Sequence, residues 1–155
     1  MKWLQTYLLK IKSTLLNQLK QGTSPHKIAQ SMSFGFVLGT IPILGATTAL
    51  CGIFGIIFKL NHVIVQMINY IVYPLQLILV IPFIRMGEWI FHQAPVPIYL
   101  PELIEQFKLN FWQSMERYLY TGLMGVCAWL LISPVLYAFV YWGTYYLVKR
   151  IKIKE

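Results

Sequence analysis

The residues best placed to do chemistry are Gly45, Ala46, Thr47 and Thr48, inside the stretch GTIPILGATT from Gly39 to Thr48. They open a segment that reads as a helix from Ala46 to Phe58. A helix start exposes backbone N–H groups that have no partner within the helix. The macrodipole adds partial positive charge there. Two threonine hydroxyls in the first turn complete a set of donors suited to an anionic group such as a phosphate. Threonines that only cap their own helix would account for the same residues, and both readings stay open. Arg85, at the end of a later apolar span, is the one cation there that could meet the same group, while Lys27 and Lys59 would lie at the entrance.

Other chemistry is poorly served. His26, His62 and His92 are scattered without ligand-like spacing, and no zinc-protease or nucleophile-elbow motif occurs. Glu88, Glu102, Glu105 and Glu116 fall in one amphipathic region, which reads more simply as a solvated face. Cys51 and Cys127 each lie in an apolar segment and read as reduced, buried thiols. The expectation is therefore no catalytic residue, no metal and no cofactor, and a protein that is not an enzyme.

The elements that must position the Gly45–Thr48 group belong to a very apolar chain. Of 155 residues, 57% are hydrophobic and only 12% charged. A soluble domain carries about twice that share of charge. The net charge of +8 does not spread over one surface: lysines cluster in 1–27 and basic residues again in 149–155, both flanking apolar segments. That is the pattern of cytoplasmic membrane flanks, and it argues against nucleic acid as a partner. The expected class is an all-α integral membrane protein whose partners include membrane lipids. Lysines every few residues interrupt the N-terminal stretch, so no cleavable signal is expected.

Residues 1–21 read as an amphipathic helix, with Leu4, Leu8, Ile11, Leu15 and Leu19 on one stripe. It would lie in the headgroup layer or pack on another protein element. A membrane domain follows over 22–148. Thr23-Ser24-Pro25 starts a helix that runs toward Ile41, where the residue before Pro42 is pushed out of the helical region. Its length of roughly 21 Å, like that of Ala46 to Phe58, falls short of a hydrocarbon core of about 30 Å. Residues 62–84 read as a kinked span broken at Asn69 and Pro74, with Pro74 opening a half-helix. Asn61, Gln66 and Gln76 add amides to this otherwise apolar stretch, as hydrogen-bonding glue or as site groups. Residues 85–120 read as an amphipathic external segment containing a helix over 102–118. Residues 121–148 form a last span, kinked at Ser133-Pro134 and belted by Trp129, Tyr141, Trp142, Tyr145 and Tyr146, and 149–155 form a basic tail.

Charge decides the expected topology. The middle segment, 85–117, holds three basic residues against four Glu, whereas both ends are strongly basic. Both termini are then cytoplasmic and the number of crossings is even. Three apolar segments cannot supply an even number unless one returns to its own side. The run 28–58, broken by Pro42 and Gly45, is expected to be that re-entrant hairpin, with a single kinked span as the competing reading. Gly35 and Gly39 on one arm, with Ala49, Gly52 and Gly55 on the other, would let the two arms pack closely.

At these residues the chain resembles the bacterial domain of unknown function 2062 family. The resemblance rests on Ser24-Pro25, on Gly35 and Gly39, and on the Pro42-Ile43-Leu44-Gly45 break. Further along it rests on Lys59-Leu60-Asn61, on Asn69 to Pro74, and on Gly87, and it covers about 22 to 148. His26-Lys27 departs from it, since an acidic residue commonly follows the proline. The resemblance implies a small inner-membrane protein of unsettled activity. In some members the domain is joined to a glycosyltransferase, which implies polyprenyl-phosphate or envelope-glycan chemistry. The functional expectation is a carrier or binder of an anionic lipid. The alternative is a non-catalytic scaffold that docks an envelope glycosyltransferase.

Overall fold

The computed structural model describes Ser13, Asn17 and residues 23–152. Apart from Ser13 and Asn17, the amphipathic helix expected over 1–21 lies outside the described residues, as do the last three residues of the tail. Within 23–152 the chain is helical, with no strand.

Helix α1, Pro25–Gly39, starts where Ser24 Oγ accepts from Lys27 N at 3.3 Å and Pro25 takes the first helical position. It stops at Thr40, two residues before Pro42. A short turn carries Gly45 at φ +85°, a left-handed conformation that favours glycine, and leads into helix α2, Thr47–Ile57. Both arms stand within two residues of where the breakers place them.

Helix α2 ends with Lys59 at φ 50°; Lys59 N donates to Ile56 O and Leu60 N to Gly55 O. That is a Schellman cap built without glycine. Helix α3, His62–Ile90, closes with the same motif, His92 standing at φ 53°.

Helix α3 corrects the sequence reading. It runs unbroken through Asn69, Pro74 and Pro82 and on to Ile90, so Pro74 opens no half-helix and Arg85–Ile90 belongs to the span. Flanking turns and polar groups can re-satisfy the carbonyl that a proline frees, so the helix need not stop. The external helix is also divided differently. Helix α4, Leu100–Leu109, ends at Asn110, and Phe111 begins helix α5, Phe111–Lys152. Asn110 is extended, at φ −150° and ψ 88°. Within α5, Ser133 Oγ donates to Leu130 O at 3.0 Å. Leu130 is the carbonyl that Pro134 leaves without its helix partner.

Two helices are long and apolar enough to cross a membrane, His62–Ile90 and the Phe111–Arg150 part of α5. Only 22% of the most apolar window of each is buried, so most of that apolar surface faces outward.

Side-chain partners show how the helices pair. Helix α1 lies along α3, Gly35 against Val65 and Ile68, Gly39 against Asn69 and Val72. A Cβ on Gly35 would come within 2.6 Å of Val65 O. Helix α1 runs antiparallel to α5: His26 pairs with Tyr141, Phe34 with Tyr137 and Thr40 with Trp129. Helices α3 and α5 cross where Gly87 lies on the Met124 backbone and Gly125 lies on Ile84. The glycines of α1 thus face α3, not α2. The contact between α1 and α2 is aromatic, through Phe34, Phe54 and Phe58, and Gly52 meets nothing within 4 Å.

Lys27 Nζ donates to Phe58 O at 3.2 Å, and Asn61 N donates to Ser31 Oγ at 2.9 Å. The start of α1 and the end of α2 therefore meet at one level, and the two helices form a hairpin. Its tip lies beside Gln76, about 21 Å along α3 from His62 at the rise of an α-helix. The aromatic belt divides accordingly. Trp129 is buried and donates to Thr40 Oγ1, Tyr141 bonds His26, and Trp142 and Tyr146 face outward.

Candidate functional site

The tip is held from the side by amides of α3. Gln76 is fully buried, and its Nε2 donates to Ile41 O at 2.7 Å and to Ile43 O at 3.3 Å. These are carbonyls of the turn, released where α1 ends, and buried carbonyls need partners. Gln66 Nε2 donates to Thr48 O at 3.0 Å, and Asn69 Nδ2 reaches Thr48 Oγ1 at 3.4 Å. Asn61 caps α3, accepting from Ile64 N. Each amide that the sequence singles out is thus placed as hydrogen-bonding glue, three of them on the hairpin tip or the first turn of α2.

Between the tip and α3 lies a cavity of about 320 Å³, lined by Gly45, Thr47, Thr48, Asn69, Tyr70 and Tyr73. Gly45, Thr47 and Thr48 are the residues the sequence points to, and Asn69 joins them from its expected break. Ala46 is the N-cap residue of α2 and has no side chain to cap with, so the helix start carries no side-chain cap. Thr47 is buried and Thr48 exposed. Thr48 Oγ1 accepts from Asn69, which leaves its hydroxyl hydrogen free to donate elsewhere. No charged residue lines the cavity. Pro42 stays in the turn, away from the lining.

Arg85 is not part of this group. Its Nη1 meets Glu88 Oε2 at 2.8 Å, and it lies about 18 Å along α3 beyond Tyr73 at the helical rise. Glu88 is buried, and its other carboxylate oxygen accepts from Val96 N at 2.8 Å. The pair fastens the loop after α3 to that helix. An arginine at the end of an apolar span looks available in sequence, but the acid three residues on claims it.

Sequence reasoning missed Tyr70 and Tyr73. Reading Asn69–Pro74 as a break hid the fact that residues 69, 70 and 73 share one side of a continuous helix. Pro74 cannot donate to the carbonyl of Tyr70, so an acceptor is freed on a residue of the lining. The other titratable groups stay apart. His26 bonds Tyr141, the His62 ring lies on Gly55, and His92 sits in its cap. Among the described residues no three His, Cys, Asp or Glu approach closely enough to hold a metal ion.

A helical hairpin wedged against two long, outward-apolar helices, with a cavity at its tip that two threonines and an asparagine line beside mostly apolar surface, defines a class of small membrane-compatible helical protein. The profile of a bacterial family described as an uncharacterized protein conserved in bacteria (DUF2062) matches residues 9–155, and the chain belongs to that family. No curated protein and no solved structure matches the chain.

Proposed function

We propose that the protein is a multi-pass protein of the bacterial inner membrane that binds the anionic head group of a lipid at the tip of a re-entrant hairpin. Helices α3 and α5 cross the bilayer, while α1 and α2 enter and return on the side of both termini. The observation that carries this reading is the cavity at Gly45, Thr47, Thr48 and Asn69. It opens at a helix start without a side-chain cap, and its α3 lining, Asn69 to Tyr73, lies about 10–17 Å in from His62 at the hairpin base at the helical rise. Discontinuous helices hold anionic groups at such depth with half-helix N-termini. Gln76 supports the reading too, because irregular backbone at membrane depth must be sheltered and hydrogen-bonded by protein.

With no cation in the lining, the head group is held by neutral donors and the helix start. That favours a singly charged phosphate diester or a partly protonated monoester over a dianion, whose desolvation the site would not offset. Carriage of a polyprenyl phosphate in envelope biogenesis is the physiological role this binding would serve. The scaffold alternative draws on α4, which has no buried residue and packs mainly against α5 among the described residues, leaving a surface for an envelope glycosyltransferase.

The test pairs melting temperature with and without a polyprenyl phosphate, on wild type, Thr47→Val and Thr48→Val. Valine keeps the volume and removes the hydroxyl. Loss of a hydrogen bond to charge costs about 1.5–3 kcal/mol, roughly ten- to a hundredfold in affinity. The lipid should stabilise wild type and stabilise Thr48→Val much less. Equal stabilisation of all three, or of none, removes the site and leaves the scaffold.

A further inference from the structure

A second cavity, also of about 320 Å³, lies at the junction of α4 and α5, lined by Gln106, Leu109, Asn110, Gln113, Ser114 and Arg117. We infer that it is a separate binding site for a hydroxyl-bearing phosphate ester, of the kind found in glycerol phosphate and in the head group of phosphatidylglycerol. Its lining differs in kind from that of the tip cavity. Three amides and a hydroxyl surround one guanidinium, and no acid is present. Amide groups both donate and accept, which suits vicinal hydroxyls, and a guanidinium forms paired bonds to phosphate oxygens.

The fold prepares this lining. Gln113, Ser114 and Arg117 follow one another at helical spacing on one face of the first two turns of α5, and Asn110 immediately precedes that helix. The macrodipole of that long helix places partial positive charge at the same end. Ser114 Oγ donates to Gln106 O at 2.9 Å, and Phe107 stacks on Tyr118 at 5.5 Å. These contacts fix α4 against α5 and hold the cavity open. Arg117 makes no ion pair among the described residues, in contrast to Arg85, which is claimed by Glu88. Around the opening Leu109, Phe111 and Trp112 are exposed, Trp112 by 82%. Exposed aromatic and aliphatic groups beside a polar cavity suit the water–lipid boundary, where a head group and its chains separate. The volume lies at the small end of the range for ligand pockets, about 300–1,000 Å³.

The test is a calorimetric titration of the purified chain with glycerol phosphate. It is paired with melting temperatures in nanodiscs of phosphatidylglycerol or phosphatidylcholine. Wild type should bind glycerol phosphate saturably. Arg117→Gln should weaken binding roughly tenfold or more, as expected for a bond to charge, with an unchanged melting temperature in the absence of ligand. Gln113→Ala should weaken it severalfold. Stabilisation by phosphatidylglycerol that Arg117→Gln abolishes identifies a lipid as the source. Binding of glycerol phosphate without that stabilisation identifies a soluble ester. No saturable binding of either probe overturns the site. So does an equal loss in Lys108→Gln, which removes a neighbouring charge outside the lining, and so does a lowered ligand-free melting temperature of Arg117→Gln.

Discussion

Gly45 illustrates how a residue can be conformationally exacting where space is free. A Cβ added there meets nothing within 4 Å, so no clash with the opposite arm restricts it. Its φ of +85° does. Left-handed backbone costs an L-residue roughly 1–2 kcal/mol, so Gly45→Ala should lower the melting temperature in detergent, while Gly45→Asn, better tolerated there, should lower it less. Equal stability of all three would mean that the turn relaxes freely and holds no cavity in shape. The importance of the glycine is legible in the sequence, from its place after Pro42, but the reason is not. Sequence marks it as a breaker of the apolar run; the structure supplies the reason, a left-handed backbone. Thr47 and Thr48 were legible as a pair, yet only Thr48 has an amide from α3 on its hydroxyl. That difference depends on which face of α2 meets α3, a tertiary fact that two adjacent threonines cannot reveal.

At the scale of elements, the small residues mark close helix contacts without naming the partner. Gly35 and Gly39 lie on α3, and Gly87 lies on the backbone of α5, where a Cβ would come within 2.5 Å of Met124 C and O. Neither backbone can give way without moving a helix, and overpacking of this kind costs about 1–3 kcal/mol. Gly52, in contrast, is helical and open. There the only effect of alanine is better helix propensity, a gain of up to about 1 kcal/mol. Gly87→Ala should therefore lower the melting temperature and Gly52→Ala raise it slightly. A loss in both would show that Gly52 packs as tightly as the sequence suggests. Helix ends set by a capping hydroxyl, or by proline after α1, were legible to within a residue or two. The ends of α4 and α5 were not, because Asn110 breaks an amphipathic pattern that continues in phase across it. Pro74 misled in the opposite direction: it punctuates the sequence, while the surrounding ladder carries the helix through.

For the whole molecule, the alternation of apolar runs and basic ends made an all-helical, membrane-compatible fold legible from composition alone. What it could not reveal is that the hairpin sits between the two long helices at one end of the pair, with Lys27 returned to Phe58. The proposed topology follows from that placement and from the charge asymmetry. In a chain carrying Cys51→Ala and Cys127→Ala, single Lys20→Cys, Lys59→Cys and Lys152→Cys variants should label from the cytoplasm only. Pro97→Cys should label from the opposite side only. Labelling of Lys59→Cys from the opposite side would replace the re-entrant hairpin by a crossing.

The depth of the hairpin has a mechanical consequence. On the proposed topology, four helices fill the leaflet on the side of the termini, whereas α3 and α5 alone continue through the other. The protein displaces more lipid area from one leaflet than from its partner. On that topology its transverse profile is a taper, broad on the side of the termini and narrow beyond Gln76. Such a body relieves lateral pressure unequally across a flat sheet, and rests with least stress where the bilayer bows toward the cytoplasm.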